Sequence, residues 1–154
     1  MTASKGTLFV IDDDPKSRKA VAALASSMQI RCETFASAEG FLDRYEPSLR
    51  GCALVDFRLG GMDGLQLQER LQALGSALSV ILISAYADVS LAVRAMESGA
   101  VAFIEKPYKN DELADAIRKA LDRCTQTRQP LANKAEKRQR LAAQELQTVF
   151  SRIQ

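Results

Sequence analysis

The stretch Val10–Pro15, VIDDDP, places three consecutive carboxylates after an apolar run and before a proline. Like charges about 4 Å apart repel by about 1 kcal/mol even in water, and by more in a cleft. Such a cluster indicates either that one acid caps a helix while the others are solvated, or that a cation binds there. Asp14 followed by proline is typical of a helix start, so we expect Asp14 to cap a first helix. Asp12 and Asp13 need another explanation.

Around this stretch, short apolar segments alternate along the chain with segments of helical periodicity. The predicted strands are Thr7–Ile11, Ile30–Phe35, Cys52–Val55, Ser79–Ser84 and Val101–Ile104. The predicted helices are Pro15–Met28, Ala38–Tyr45, Leu65–Leu74, Val89–Ser98 and Glu112–Arg123. Strict alternation of strand and helix predicts an α/β fold, with a doubly wound, five-stranded parallel sheet and helices on both faces.

The ends of the predicted helices carry supporting signals. Ser37 and Asp88 stand where further helix caps are expected, and Gly75 and Gly99 stand where helices should stop. Neither a G-x-G-x-x-G sequence nor a G-x-x-x-x-G-K-[ST] loop follows any predicted strand. Nucleotide binding, a common activity of such sheets, is therefore disfavoured.

The composition is that of one globular domain with an appendage: 154 residues, 47% hydrophobic and 26% charged. The chain has no histidine, which excludes histidine general-base catalysis, histidine metal ligands and a role as a histidine phosphodonor. Its three cysteines are unclustered, and we expect them to be reduced thiols. No apolar run reaches the ~18 residues of a membrane span, and the N-terminal residues MTASKGT lack an apolar export signal. We therefore expect a cytoplasmic protein without a membrane partner.

The distribution of charge divides the chain into parts. Residues 125–154 contain six Lys or Arg residues and two acids, although the net charge of the whole chain is only +2. We predict a domain over residues 1–124, a polar linker over residues 125–133 and an amphipathic linker helix over residues 134–154. The helix is indicated by strong helix formers and by an apolar stripe of Ala135, Ala142, Leu146, Val149 and Ile153. Packing on its own domain and packing on a partner subunit both remain open.

The carboxyl ends of the predicted strands, where ligands bind in a doubly wound sheet, carry polar side chains. The residues there are Asp12 and Asp13 after the first strand, Asp56 after the third, Ser84 at the end of the fourth and Lys106 after the fifth. A donor set rich in oxygen and without Cys or His suits a hard cation such as Mg²⁺. A carboxylate beside Mg²⁺ can attack a phosphoryl group, whose oxygens Lys106 and the Ser84 hydroxyl could then bind.

Four stretches together resemble the receiver domain of two-component response regulators, over about residues 6–124. They are VIDDDP, LVDFRLGGMDG (Leu54–Gly64), ILISAYAD (Ile81–Asp88) and AVAFIEKPY (Ala100–Tyr108). Each stretch alone is a weak signal, but the four in this order and at these spacings are highly specific. The chain is similar to regulators of the FixJ/NarL type, in which a linker helix leads to a helix-turn-helix DNA-binding domain. No such output domain fits in the remaining residues, so we expect a receiver with a linker helix, cut from a longer transcription factor.

The resemblance implies a flavodoxin-like sheet with strand order 2-1-3-4-5 and assigns roles to the acids. Asp56 would accept a phosphoryl group from a sensor histidine kinase. Mg²⁺ would be bound by Asp13 and Asp56, by Asp12 through a water molecule, and by the backbone carbonyl of Arg58. The family also suggests a cis bond between Lys106 and the proline that follows it.

The resemblance further implies a switch that controls a DNA-binding output, and not an enzyme acting on other substrates. Ser84 and Phe103 match a hydroxyl and an aromatic side chain that rearrange on phosphorylation, and Lys106 contacts the phosphoryl group. Arg58 and Tyr86 occupy positions that tune the lifetime of the phosphoryl group in similar domains. The expected consequence of phosphorylation is homodimerisation.

Two other functions fit parts of the pattern. An aspartate-dependent phosphatase would use the same carboxylate chemistry, but such enzymes resemble D-x-D-x-T/V at the nucleophile. This chain has Asp56-Phe57-Arg58 and lacks the second acid. A phosphorylation-independent interaction module would keep only the fold, and the intact set of three acids, a hydroxyl and a lysine argues against it.

Overall fold

The computed structural model describes residues 6–85 and 89–126, which form alternating strands and helices. The strands are β1 Thr7–Ile11, β2 Cys32–Phe35, β3 Gly51–Asp56, β4 Ser79–Ser84 and β5 Ala102–Glu105. The helices are α1 Pro15–Ser27, α2 Ala38–Arg44, α3 Gly64–Ala73, α4 Val89–Glu97 and α5 Asn110–Gln126. All strand pairs are parallel and the order is β2-β1-β3-β4-β5, which confirms the predicted fold class and strand order.

The sheet has a core on each face because successive side chains of a strand point to opposite sides. In β1, Phe9 and Ile11 pack in one core, together with apolar residues of α2, α3 and α4. Leu8 and Val10 pack in the other core, against apolar residues of α1 and α5. The central strands are therefore apolar between their end residues, as expected for a sheet covered on both faces.

The predicted cap and stop residues of the helices agree with the structure where it describes them. The Asp14 carboxylate accepts a hydrogen bond from the Lys16 amide at 3.0 Å and caps α1, and Ser37 caps α2 in the same way. Gly75 and Gly99 follow α3 and α4 with φ of +71° and +98°, a conformation that favours glycine. Asp88, the third predicted cap, lies outside the described residues.

Two elements differ from the sequence-based prediction by two or more residues, and the other boundaries agree to within one residue. Strand β2 begins at Cys32 and not at Ile30, because Ile30 donates its amide to the Ala25 carbonyl at 2.9 Å and so completes the end of α1. Helix α5 begins at Asn110 and continues to Gln126, so the first two residues of the predicted linker are helical.

The remainder of the predicted linker and the predicted C-terminal helix over residues 134–154 lie outside the described residues. Among the helices of the described part, none is long and apolar enough to cross a membrane.

Candidate functional site

The carboxyl ends of β1, β3, β4 and β5 meet at one edge of the sheet and bring the predicted polar residues to that edge. Asp56 is the last residue of β3 and is in register with Ile83 of β4. Ser84 follows at the end of β4, and its carbonyl accepts a hydrogen bond from the Lys106 amide at 2.8 Å. This hydrogen bond fixes the position of the Lys106 backbone directly after β5, and therefore the point from which the Lys106 side chain extends. The bond between Lys106 and Pro107 is cis.

An ion-pair cluster of Asp12, Asp56 and Lys106 forms the centre of the site. Lys106 Nζ lies 3.0 Å from Asp56 Oδ2 and 3.5 Å from Asp12 Oδ2. The side chains of Asp12 and Asp56 are only 9% and 11% exposed, so these charges are largely removed from water. Partial burial strengthens the attraction between opposite charges and makes an uncompensated charge costly.

The burial of the cluster shifts the pKa values of its members. Desolvation raises the pKa of Asp12, and the neighbouring Asp56 charge acts in the same direction. Together they outweigh the hydrogen bond from the Asp14 amide and the charge of Lys106, which both lower it. Burial lowers the pKa of Lys106, but its hydrogen bond to Asp56 and the charges of both acids outweigh this effect, so its pKa is raised. Burial also raises the pKa of the nearby Tyr108. Lys106 is therefore charged at neutral pH, and ionising Asp12 costs more free energy in the folded chain than in water.

Asp12, Asp13 and Asp56 together could hold a metal ion. One carboxylate oxygen from each residue lies within 4.8 Å of the others. Asp13 is exposed to solvent, and its charge is next to that of the nearly buried Asp12. Three carboxylates in one place repel each other, and a divalent cation with several water ligands would relieve this repulsion. The donor set therefore fits a hard divalent cation.

Hydrogen bonds between side chains and the backbone hold Asp12 and Asp56 in place. The Asp14 amide donates to Asp12 Oδ1 at 2.9 Å, and Arg18 Nη1 of α1 donates to the Asp12 carbonyl at 2.7 Å. The Arg58 amide donates to Asp56 Oδ1 at 3.3 Å. Arg18 was not singled out from the sequence, although its position one turn inside the first helix was a possible signal.

Ser84 and Phe103, the predicted switch residues, share one face of the sheet. Ser84 is buried, and Phe103 pairs in register with Leu82, two residues before Ser84. Phe103 is partly buried and packs against the core that α2, α3 and α4 cover. Tyr86, predicted to tune the lifetime of the phosphoryl group, lies outside the described residues.

Comparison with known proteins identifies the family. Residues 8–118 match the family model described as response regulator receiver domain, and the chain belongs to this family. Transcriptional regulatory protein TdiR of Thauera aromatica is 38% identical over 120 residues, 78% of this chain and 53% of that protein. Transcriptional regulatory protein FixJ of Bradyrhizobium diazoefficiens is 37% identical over 118 residues, 77% of this chain and 58% of that protein.

A solved structure agrees with these matches. The structure of response regulator StyR has a TM-score of 0.73 and 36% identity, and the match covers 94% of this chain and 69% of that chain. The chain spans a little over half the length of the curated relatives named above. It is thus the receiver domain of a two-component response regulator, related to transcriptional regulators, which confirms the resemblance seen in the sequence.

Proposed function

We propose that this protein is a phosphorylation-dependent switch whose Asp56 accepts a phosphoryl group from a sensor histidine kinase. The observation that carries the proposal is the cluster of Asp56, two further acids and Lys106 at one sheet edge. An oxygen of Asp56 attacks the phosphorus of a phosphohistidine. A bond between oxygen and phosphorus forms while the bond between nitrogen and phosphorus breaks. The electron pair of the broken bond stays on the imidazole nitrogen, which takes up a proton.

Each residue of the site has a separate role in this transfer. Asp12, Asp13, Asp56 and the Arg58 backbone carbonyl would hold Mg²⁺, in agreement with the oxygen-rich donor set. Mg²⁺ held there would supply positive charge that offsets the negative charge of the phosphoryl group. Lys106 is already 3.0 Å from Asp56 and can transfer its hydrogen bond to a phosphoryl oxygen with little movement.

Ser84 and Phe103 would convert the added charge into a change of surface. The phosphoryl group adds about −1.5 to −2 charges and three acceptor oxygens, which can attract the Ser84 hydroxyl. Movement of Ser84 would leave space on the face of β4 that Phe103 shares, so that the aromatic ring can turn further inward. In the sequence, Arg58 stands two residues after Asp56 and Tyr86 stands two residues after Ser84, and we assign to both the control of the lifetime of the phosphoryl group.

The output of the switch would be homodimerisation through α4 and the neighbouring edge strand β5. Val89, Val93 and Met96 repeat at helical spacing on α4 and are 80%, 48% and 49% exposed. An exposed apolar stripe of this kind favours burial against a partner. Residues 134–154 would extend the contact as a linker helix towards a DNA-binding output domain of a longer protein, as in regulators of the FixJ type.

Incubation with acetyl phosphate and Mg²⁺, followed by intact-mass measurement, tests the proposal. Wild-type protein should gain about 80 Da, the mass of one added HPO₃ unit, and Asp56→Asn should show no gain. Continuous release of phosphate from p-nitrophenyl phosphate without a lasting adduct would instead support the phosphatase. Wild-type protein that neither gains mass nor releases phosphate would support an interaction module that keeps only the fold.

A further inference from the structure

The loop between β3 and α3, residues 57–63, begins directly after the proposed phosphoacceptor and is closed at its base. The Gly64 amide donates to the Phe57 carbonyl at 2.8 Å. Gly64 also lies so close to the strand end that a Cβ there would be 2.5 Å from the Asp56 carbonyl oxygen. The position of this loop is therefore coupled directly to the backbone of Asp56.

The middle of the loop is held by a side chain from another element. Glu39, in the first turn of α2, accepts a hydrogen bond from the Met62 amide at 2.9 Å through Oε2. This contact joins residues that are 23 positions apart in the chain. The same bond, together with the amide of Glu39 itself, lowers the pKa of Glu39, so the carboxylate is ionised at neutral pH.

Gly61 leaves the space that this contact needs. A Cβ built on Gly61 would lie 2.7 Å from Glu39 Oε2, which is closer than non-bonded atoms approach each other. A Cβ built on the adjacent Gly60 would meet no atom within 4 Å. Neither glycine has a positive φ, so the two positions differ in their surroundings and not in backbone strain.

Three supports thus hold the loop: its base at Phe57, the capping box of Asp63 and Gln66 at the start of α3, and Glu39 at Met62. Arg58, whose carbonyl is a proposed metal ligand, lies between the first and the last of these supports. We infer that Glu39 is a positioning residue, which fixes this loop through Met62 and so keeps the Arg58 carbonyl and Asp56 oriented for the cation. This inference rests on the proposed function, because it assumes that the acid cluster binds Mg²⁺.

A Mg²⁺ titration of the whole chain without a phosphodonor tests the inference. Binding is monitored through the NMR resonances of the Asp13 and Arg58 backbone amides. Glu39→Ala should weaken Mg²⁺ binding by about tenfold, the low end of the loss caused by removing partners that orient metal ligands. Glu39→Gln keeps an acceptor oxygen and should retain most of the affinity, which separates the hydrogen bond from the charge. Thermal unfolding in EDTA checks that each variant is folded.

The two glycines supply a matched pair of variants. Gly61→Ala should displace the Glu39 carboxylate and weaken Mg²⁺ binding, whereas Gly60→Ala should bind as the wild type does. If both changes act through the same contact, Glu39→Ala combined with Gly61→Ala should bind no more weakly than Glu39→Ala alone.

Two results would overturn the inference in distinguishable ways. Unchanged Mg²⁺ affinity in folded Glu39→Ala, with normal binding by the wild type, would remove the positioning role and leave the proposed function intact. Absence of Mg²⁺ binding by the wild type, even at millimolar concentration, would overturn the metal site and the inference together.

Discussion

At the scale of single residues, the site gathers charges that the fold itself does not need. Asp12 and Asp56 are both largely buried, and Lys106 contacts both. Pairs of buried charges seldom add stability, because the hydration that they lose offsets their attraction. The arrangement is understandable if a cation and a phosphoryl group later share the site.

Replacing Asp12 by Asn should therefore stabilise the metal-free protein. Burial holds the pKa of Asp12 above its ordinary value, so the folded chain binds a proton there more tightly than the unfolded chain does. The resulting stabilisation is complete below the ordinary pKa of 3.8 and is lost as the pH rises through the folded-state value. At pH 7 the ionised carboxylate destabilises the folded chain, so Asp12→Asn should raise the free energy of unfolding by about 1 kcal/mol.

Urea denaturation at pH 7 in EDTA measures this difference, and Asp43→Asn, at an exposed position of α2, is a suitable control. Addition of Mg²⁺ should stabilise both proteins, because the cation binds the folded state alone. The effect should be larger for the wild type, because Asp12→Asn lacks one of the carboxylates proposed to hold Mg²⁺. An Asp12→Asn protein that is less stable than the wild type in EDTA would show that the pair of Asp12 with Lys106 outweighs its desolvation.

At the scale of elements, a buried amide joins α3 to α4. Gln68 is 2% exposed, and its Nε2 donates to the Ala95 carbonyl of α4 at 2.8 Å. That carbonyl also accepts a bond from the Ala100 amide at 3.0 Å, so it keeps a partner if Gln68 is replaced. Within the described residues, Gln68 Oε1 accepts no hydrogen bond. A buried acceptor of this kind costs about 1–3 kcal/mol.

Gln68→Leu should consequently be neutral or increase the free energy of unfolding by about 1 kcal/mol, since it removes the buried acceptor and keeps the volume nearly constant. Gln68→Glu, which buries a charge instead, should destabilise the protein by several kcal/mol. Chemical denaturation of the three proteins provides the comparison. A loss of more than about 2 kcal/mol in Gln68→Leu would indicate that Oε1 has a partner, such as a bound water.

The exposed stripe of α4 leads to a prediction about association. Val93→Lys places a charge in the middle of the stripe, so it should abolish dimerisation of the phosphorylated protein. It should change the free energy of unfolding by less than about 0.5 kcal/mol, because the side chain is half exposed. Sedimentation velocity with and without acetyl phosphate measures the association, and Lys19→Ala, at an exposed position of α1 near the opposite edge of the sheet, serves as a surface control. Equal dimerisation of Val93→Lys and wild type would exclude α4 as the interface.

At the scale of the whole molecule, the sequence determines the architecture more clearly than it determines the contacts that tune the site. The bounds of β1 and β4 were predicted correctly, because each is a short apolar run with distinct flanking residues. The start of β2 was wrong because Gln29 adopts a φ of +59° at the end of α1, a conformation that sequence patterns assign to glycine. Local pattern cannot detect such an exception.

The candidate site shows the same division. Residues at strand ends were predictable, because parallel strands bring their carboxyl ends together whatever the loops between them do. The contacts of Glu39 with Met62 and of Gln68 with Ala95 join residues 23 and 27 positions apart through side chains. These contacts depend on how the helices pack on the sheet, and no residue spacing in the sequence predicts them.

The central claim is that the phosphoryl group is transferred to Asp56. Borohydride reduction of the phosphorylated protein converts an aspartyl phosphate to homoserine, and tandem mass spectrometry then locates the modified position. The account predicts homoserine at position 56 alone, formed only when Mg²⁺ is present. Homoserine at position 12 or 13, or a phosphorylated protein without any reducible aspartate, would contradict it.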